Sequence, residues 1–227
     1  MDLLQLREKE IFETLKTIIK YNFVVIGGYA VNAYTLARFS VGCDIVVLSI
    51  SEATKIENTL EKFGFKREKT KNTLPYHGEF ERYEKIIREN YRVSIDVLID
   101  KVYDRQTNYH FSAKWIFDNA KTRILKGKTI SEEIKLRIVN VDALIVLKMI
   151  SCRGTDIRDV FMLLPKADNK VWIKSEISLR HDFKNRFNKL KGEIISAKFK
   201  HNLHGVYGYI DNNVFERHKK CLLDWGK

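Results

Sequence analysis

The stretch from Phe23 to Leu48 constrains the fold more than any other part of the chain. It reads "FVVIGG", then "YAVNAYTLAR", then "FSVGCDIVVL". Phe23 to Ile26 is a short apolar run of strand type that Gly27-Gly28 breaks, and the middle segment has the spacing of a helix. The last segment is a second apolar strand that keeps one acid, Asp44. Gly42 lies on the same side of that strand, because residues two apart point the same way. A glycine inside a strand marks a bulge, a close approach, or a side chain that is missing. The resulting unit is strand, glycine turn, helix, strand.

Around it the pattern is mixed. Leu3 to Tyr21 predicts a helix with Leu4, Ile11, Leu15, Ile18 and Ile19 along one stripe. This is an amphipathic helix pattern, not that of a signal peptide. Glu52 to Phe63 predicts a helix with Ser51 as its N-cap. From Gly78 to Ile99, "GEFERYEKII" and "YRVSIDVLI" flank "REN" and predict a β-hairpin. In its second arm Val93, Ile95, Val97 and Ile99 alternate against Arg92, Ser94, Asp96 and Leu98, so Asp96 is an acid on a mostly apolar strand.

After about Asp100 the expectation is mainly helix. "FSAKWIFDNAK" is a short one, "LRIVN" is a last strand, and "VDALIVLKMIS" and "TDIRDVFMLL" are two helices broken at Arg153-Gly154. The remainder is basic helix interrupted at "HGVYGYIDNN". The expected class is α+β: a mixed sheet flanked by helices, followed by a helical C-terminal region. The division is expected near residues 1–140 and 141–227, with Pro165 as another candidate boundary.

Composition narrows the partners. The chain of 227 residues carries a formal charge of +12, and residues 166–227 hold 14 Lys and Arg against 7 Asp and Glu. That balance suits a phosphate-rich partner such as RNA or DNA, or simply a solvated basic surface. No apolar run approaches the roughly 20 residues a membrane-crossing helix needs, so no membrane partner is expected. Cys43, Cys152 and Cys221 are widely spaced and make neither a zinc pattern nor a disulfide framework, which points to a reducing cytoplasm.

The acids carry the chemistry. Carboxylates two apart on one strand, joined by a third from a neighbouring strand, make a hard oxygen cluster suited to Mg²⁺. Two such ions about 4 Å apart clamp the oxygens of a phosphoryl transfer. Asp44 and Asp96 are two corners of such a cluster, and the third position is Gly42. A glycine turn that leads into a helix start can cradle phosphate, or be no more than a tight turn. Lys148 is the one charge in "ALIVLKMISC" and must snorkel, pair or act on a ligand. Asp156, with Thr155 as N-cap, reads as a first-turn acid on a helix dipole. Asp159 lies one turn further in. Arg153 either binds phosphate or pairs with Asp156.

"VVIGGYAVNAY" followed by "RFSVGCDIV" resembles the nucleotidyltransferase superfamily, the fold shared with DNA polymerase beta-like enzymes, and within it the AbiEii-type toxin branch. That branch's pattern is a strand, Gly-Gly, a helix, Arg-x-Ser/Thr-x-Asp-x-Asp, and a later Asp on a strand. Arg38, Ser40, Asp44 and Asp96 are in register with it. Lys148, Arg153, Asp156 and Asp159 match its later Lys, Arg and Asp-x-x-Asp. The match covers roughly residues 20 to 165. It implies Mg²⁺-dependent transfer of a nucleotide from a nucleoside triphosphate to an acceptor hydroxyl. The acceptor would be RNA, possibly a tRNA 3′ end, and the partner an antitoxin protein.

On that resemblance Asp44 and Asp96 would hold metal, and Gly27, Gly28, Ser40, Arg38, Lys148 and Arg153 would contact the nucleotide. Asp159 would orient or deprotonate the acceptor. Gly42 departs from the pattern, because it stands where the first metal-binding acid belongs. The alternative is therefore a catalytically inactive nucleotide- or RNA-binding module on the same fold, natural or mutated.

Overall fold

The computed structural model describes residues 2–68 and 79–226. Gly78, the expected start of the hairpin, and Pro75 lie outside the described residues. The first elements are α1 (Leu3–Ile18), β1 (Val24–Ile26), α2 (Gly27–Asn32), β2 (Gly42–Val47), α3 (Ile50–Lys62), β3 (Lys66–Arg67), β4 (Glu79–Arg88) and β5 (Tyr91–Ile99). Then come β6 (Lys101–Asp104), β7 (Tyr109–Ser112), α4 (Ala113–Asp118), β8 (Ala120–Lys126) and β9 (Glu133–Val139). The rest is helical: α5 (Val141–Ser151), α6 (Gly154–Leu163), α7 (Lys170–Ser178), α8 (Phe183–Ile194), α9 (Phe199–Tyr207) and α10 (Asn212–Trp225). The described chain divides into two compact units. Of the described residues, one unit comprises 2–33, 39–68, 79–103 and 110–139. The other comprises residues 34–38, 104–109 and 140–226.

The first unit is built on a mixed seven-stranded sheet, in the order β3-β4-β5-β2-β1-β9-β8. β2 runs parallel to β5 and antiparallel to β1, and β1 runs parallel to β9. Strands β2 and β5 lie inside the sheet, so Val93 to Ile99 are all buried, on both faces rather than one. Helix α1 buries Ile11, Phe12, Leu15 and Ile18 completely, while Leu4 and Ile19 of the expected stripe stay exposed. A capping box between Asp2 and Gln5 starts α1. Helix α3 is capped by Ser49 rather than Ser51, because Ser49 is the residue in extended backbone whose hydroxyl accepts the Glu52 N–H.

One expectation fails for a tertiary reason. "YAVNAYTLAR" does not continue as helix: α2 ends at Asn32, and Arg38 reaches a carboxylate in the second unit's core. The segment after Asp100 is mainly helical as expected, but it also holds four strands, β6 to β9, of which only part of β9 was expected. "AKTRILK" and "EIKLRIV" pair antiparallel at the sheet edge, burying Leu125, Ile134, Leu136 and Ile138 against a charged outer face.

The second unit is helical. Phe161 is fully buried and packs against Phe199 at 5.1 Å and Phe215 at 5.1 Å between ring centroids. The turn between α5 and α6 uses Cys152 in left-handed backbone, φ 48°, as the α5 C-cap. Among the described residues, no helix is long and apolar enough to cross a membrane.

Glu8 ties the β8–β9 loop to α1. It is buried, and its carboxylate accepts the Lys128 N–H at 2.6 Å, the Thr129 N–H at 2.7 Å and the Thr129 hydroxyl at 2.6 Å. Glu8→Ala removes the acceptor of these part-buried donors and is expected to cost about 1–3 kcal/mol in urea unfolding. A loss below about 0.5 kcal/mol would mean that the loop is held by other contacts.

Candidate functional site

Two clusters of acids form, one in each unit. In the first unit the parallel register of β2 on β5 sets Asp44 directly beside Asp96, and Gly42 beside Ser94. On the other side of β2, Asp44 is opposite Ile26, the last residue before the glycine turn. Gly27 has φ +65°, a conformation that favours glycine. A methyl group placed on it would sit 1.9 Å from Asp44 Oδ2. The Asp44 carboxylate therefore lies against the bare backbone of the turn. Gly27 is half-buried and Gly28 buried, and α2 has six residues. Ser40 donates its hydroxyl to the Gly42 carbonyl at 2.9 Å.

Two like charges on adjacent strands, about 5 Å apart, repel by roughly 3 kcal/mol at the effective dielectric of a protein surface. Arg82 offsets part of this. It faces Asp96 across the β4–β5 pair and donates Nε to Oδ1 and Nη2 to Oδ2, each at 2.8 Å. This paired geometry is the strong form of a charge-assisted hydrogen bond. The bond to Asp96 is also the main reason the Arg82 guanidinium is held more firmly charged than usual.

The resemblance implies a pair of metal ions, and the residues present do not fit one. Both oxygens of Asp96 are engaged by Arg82. Position 42 supplies no side-chain oxygen. Among the described residues, no group of three or more His, Cys, Asp and Glu side chains is placed to hold a metal ion. A Cβ at position 42 would lie 2.2 Å from Ser94 Oγ and 3.1 Å from the Ser94 carbonyl. The hydroxyl can rotate away, so an acid at 42 needs only a change of the Ser94 rotamer and a small backbone adjustment.

The second cluster lies within the helical unit and gathers Arg38, Lys148, Arg153, Asp156 and Asp159. Asp159 Oδ1 accepts Arg38 Nε at 2.8 Å and the Tyr207 hydroxyl at 2.7 Å. Its Oδ2 accepts Arg38 Nη2 at 2.8 Å and Lys148 Nζ at 2.9 Å. Those four bonds use the full accepting capacity of a carboxylate. Lys148 also donates to Asp156 Oδ1 at 2.9 Å, and Arg153 donates its backbone N–H and Nε to Asp156 Oδ2. Asp156 and Asp159 are each 1% exposed.

Lys148 thus pairs with acids in the core rather than snorkelling. The residue at the α6 N-cap position is Arg153, not Thr155, and the Asp156 carboxylate accepts its backbone N–H. With its four positions filled, the Asp159 carboxylate has no open lone pair with which to take a proton from an acceptor. The Arg38 guanidinium is turned on this acid. Tyr207 was not foreseen. It falls in "HGVYGYIDNN", which reads as a break, yet it ends α9, and Gly208 at φ 85° stops the helix there.

Burial pushes the Asp159 carboxyl up, but the Lys148 and Arg38 charges outweigh it and hold it below the ordinary range. Burial pulls Lys148 down, and Asp159 and Asp156 outweigh that and hold it above its ordinary value. Burial raises the Tyr207 phenol, which stays protonated and donates.

The first unit is a mixed sheet flanked by helices, with two acids side by side on parallel strands next to a glycine turn. No protein-family model matches the sequence, and no curated protein matches it significantly. Solved structures do. The chain is similar to JHP933 from Helicobacter pylori, with a TM-score of 0.54 at 14% identity, covering 100% of this chain and 93% of that one. A second structure, described as a proposed nucleotidyltransferase from Helicobacter pylori, has a TM-score of 0.49 at 14% identity, covering 100% of this chain and 92% of its own.

The ion network makes a stability prediction with a defined pH window. Lys148→Met leaves two buried carboxylates undercompensated and is expected to cost about 3–5 kcal/mol. Asp159 is depressed in the folded state, so its contribution is present above the ordinary carboxylate pKa of about 4 and is lost as pH falls through the folded value. Lys148 is raised, so its contribution is present below about pH 10.4 and is lost as pH rises through its folded value. In chemical denaturation the deficit of Asp159→Asn against the native chain should shrink from neutral pH toward pH ~3. A deficit that stays constant would remove the ionised carboxylate from the argument.

Proposed function

We propose that the chain binds a nucleoside triphosphate beside the Asp44–Asp96 pair and that, as it stands, it is a weak or silent nucleotidyltransferase. The observation that carries this is the placement of Asp44, against the bare turn at Gly27 on one side and beside Asp96 on the other. Acids held beside an open backbone turn are what the resemblance implies for a nucleotide site. The glycine at 42 and the engagement of Asp96 by Arg82 favour binding over transfer. The acceptor we infer is RNA, a tRNA 3′ end being the resemblance's specific form of it. The charge of +12 supports a phosphate-rich partner. The toxin role and an antitoxin partner belong to the same proposal.

The test is Gly42→Asp, with Gly42→Ala as the control that adds the same Cβ without a carboxylate. Each protein is offered tRNA and each labelled nucleoside triphosphate, with Mg²⁺ or with chelator. The native chain and Gly42→Ala are expected to label RNA at background, and Gly42→Asp at least about 100-fold faster with Mg²⁺, the scale of losing a metal-site group. Native labelling equal to Gly42→Asp would remove position 42 from the site. Absence of nucleoside triphosphate binding by the native chain in equilibrium dialysis would end the binding proposal.

A further inference from the structure

We propose that Arg82 is a built-in counter-cation that closes the acid pair to divalent ions until its guanidinium is moved. This rests on Asp44 and Asp96 being the acids that face a ligand. Three observations carry it. The first is position: Arg82, Asp96 and Asp44 are in register across β4, β5 and β2, so they form one transverse row on one face of the sheet.

The second is geometry. Arg82 grips both oxygens of Asp96 at 2.8 Å, and those are the oxygens a divalent ion would need. The Asp96 side chain is 11% exposed and that of Arg82 is 38% exposed, so the guanidinium covers the acid from the solvent side.

The third is a second resting place. Glu68 Oε2 lies 3.9 Å from Arg82 Nε, and the Glu68 N–H donates to the Arg82 carbonyl at 2.8 Å, which keeps the two residues adjacent. The Phe80 ring lies 5.7 Å from the guanidinium and supplies a face for it. Arg82 can release Asp96 without losing every partner. Leaving Asp96 exchanges two short charge-assisted bonds for one longer contact, so the closed position is the favoured one.

The charge sum points the same way. Asp44 and Asp96 carry −2 between them, and Arg82 brings one positive charge into their row. A divalent ion entering the site must displace a guanidinium already held there, or bind against its positive charge.

The experiment uses Mn²⁺ alone, with no nucleotide, read as loss of the free-ion electron paramagnetic resonance signal on titrating the full chain. Arg82→Gln removes the charge and is expected to bind Mn²⁺ about tenfold more tightly than the native chain. Arg82→Lys keeps the charge but not the two-pronged grip, and is expected to bind about threefold more tightly. It keeps the inference testable if Arg82→Gln does not fold. Asp96→Asn added to either variant should abolish the gain. Equal Mn²⁺ affinity in the native chain and both variants would overturn the proposal, as would a gain that survives Asp96→Asn. Nucleotide binding in chelator is measured separately, so a failed Mn²⁺ result and a failed nucleotide-binding result are distinguishable.

Discussion

The parallel pairing of β2 with β5 is the constraint on which the rest of the first unit depends. It aligns Asp44 with Asp96 and Gly42 with Ser94, residue for residue. Side-by-side carboxylates on neighbouring strands repel, and a folded protein retains such a pair when something positive is held nearby. Here part of that positive charge comes from the chain itself, through Arg82 on the third strand of the same row. The features that matter for function in this unit follow from that row: the turn that leaves room for one acid, the arginine that grips the other, and the glycine that offers neither charge nor oxygen.

The helical unit handles acids in the opposite way. Asp159 receives four hydrogen bonds from three side chains, and Asp156 receives bonds from Lys148 and Arg153. All four accepting positions of Asp159 are filled, and both acids are buried. Such a buried network adds less to net stability than its bond count suggests, because desolvating the charges is costly, whereas removing one member is severe. It also demands that Arg38, Lys148, Asp159 and Tyr207, drawn from four separate stretches of chain, all arrive together. This argues for a role in specifying the unit's packing.

Much of this was legible in the sequence because the signals were local. The α1 stripe, the β1 strand broken by Gly27-Gly28, the "REN" hairpin, the two helices split at Arg153-Gly154 and the placement of acids on strands all rest on spacing within a few residues. What was not legible depended on long-range partners. Arg82 could have been found only by counting back along the hairpin, and an irregularity between Ile86 and Arg88 shifts that count by one residue. Without it the residue opposite Asp96 would be Tyr83, which points to the other face. The partners of Tyr207 and Arg38 were hidden for a related reason: the conformations of both are decided by one distant carboxylate. The edge strand β8 was missed, and its neighbour β9 was read only over "LRIVN", because alternating charged residues look as much like a solvated helix as like a half-buried strand.

The contact between Gly27 and Asp44 ties two positions 17 residues apart into a single unit of change. With any side chain at 27, its first carbon would stand within 1.9 Å of the Asp44 carboxylate, and its backbone would be strained at φ +65°. An acid at 44 therefore presupposes a glycine at 27. A chain of this fold that lost the carboxylate at 44 to something smaller would be released from the steric half of that requirement, though not from the backbone half. The φ of +65° keeps glycine favoured at 27 whatever stands at 44, so position 44 can change without 27, whereas 27 cannot readily change without 44.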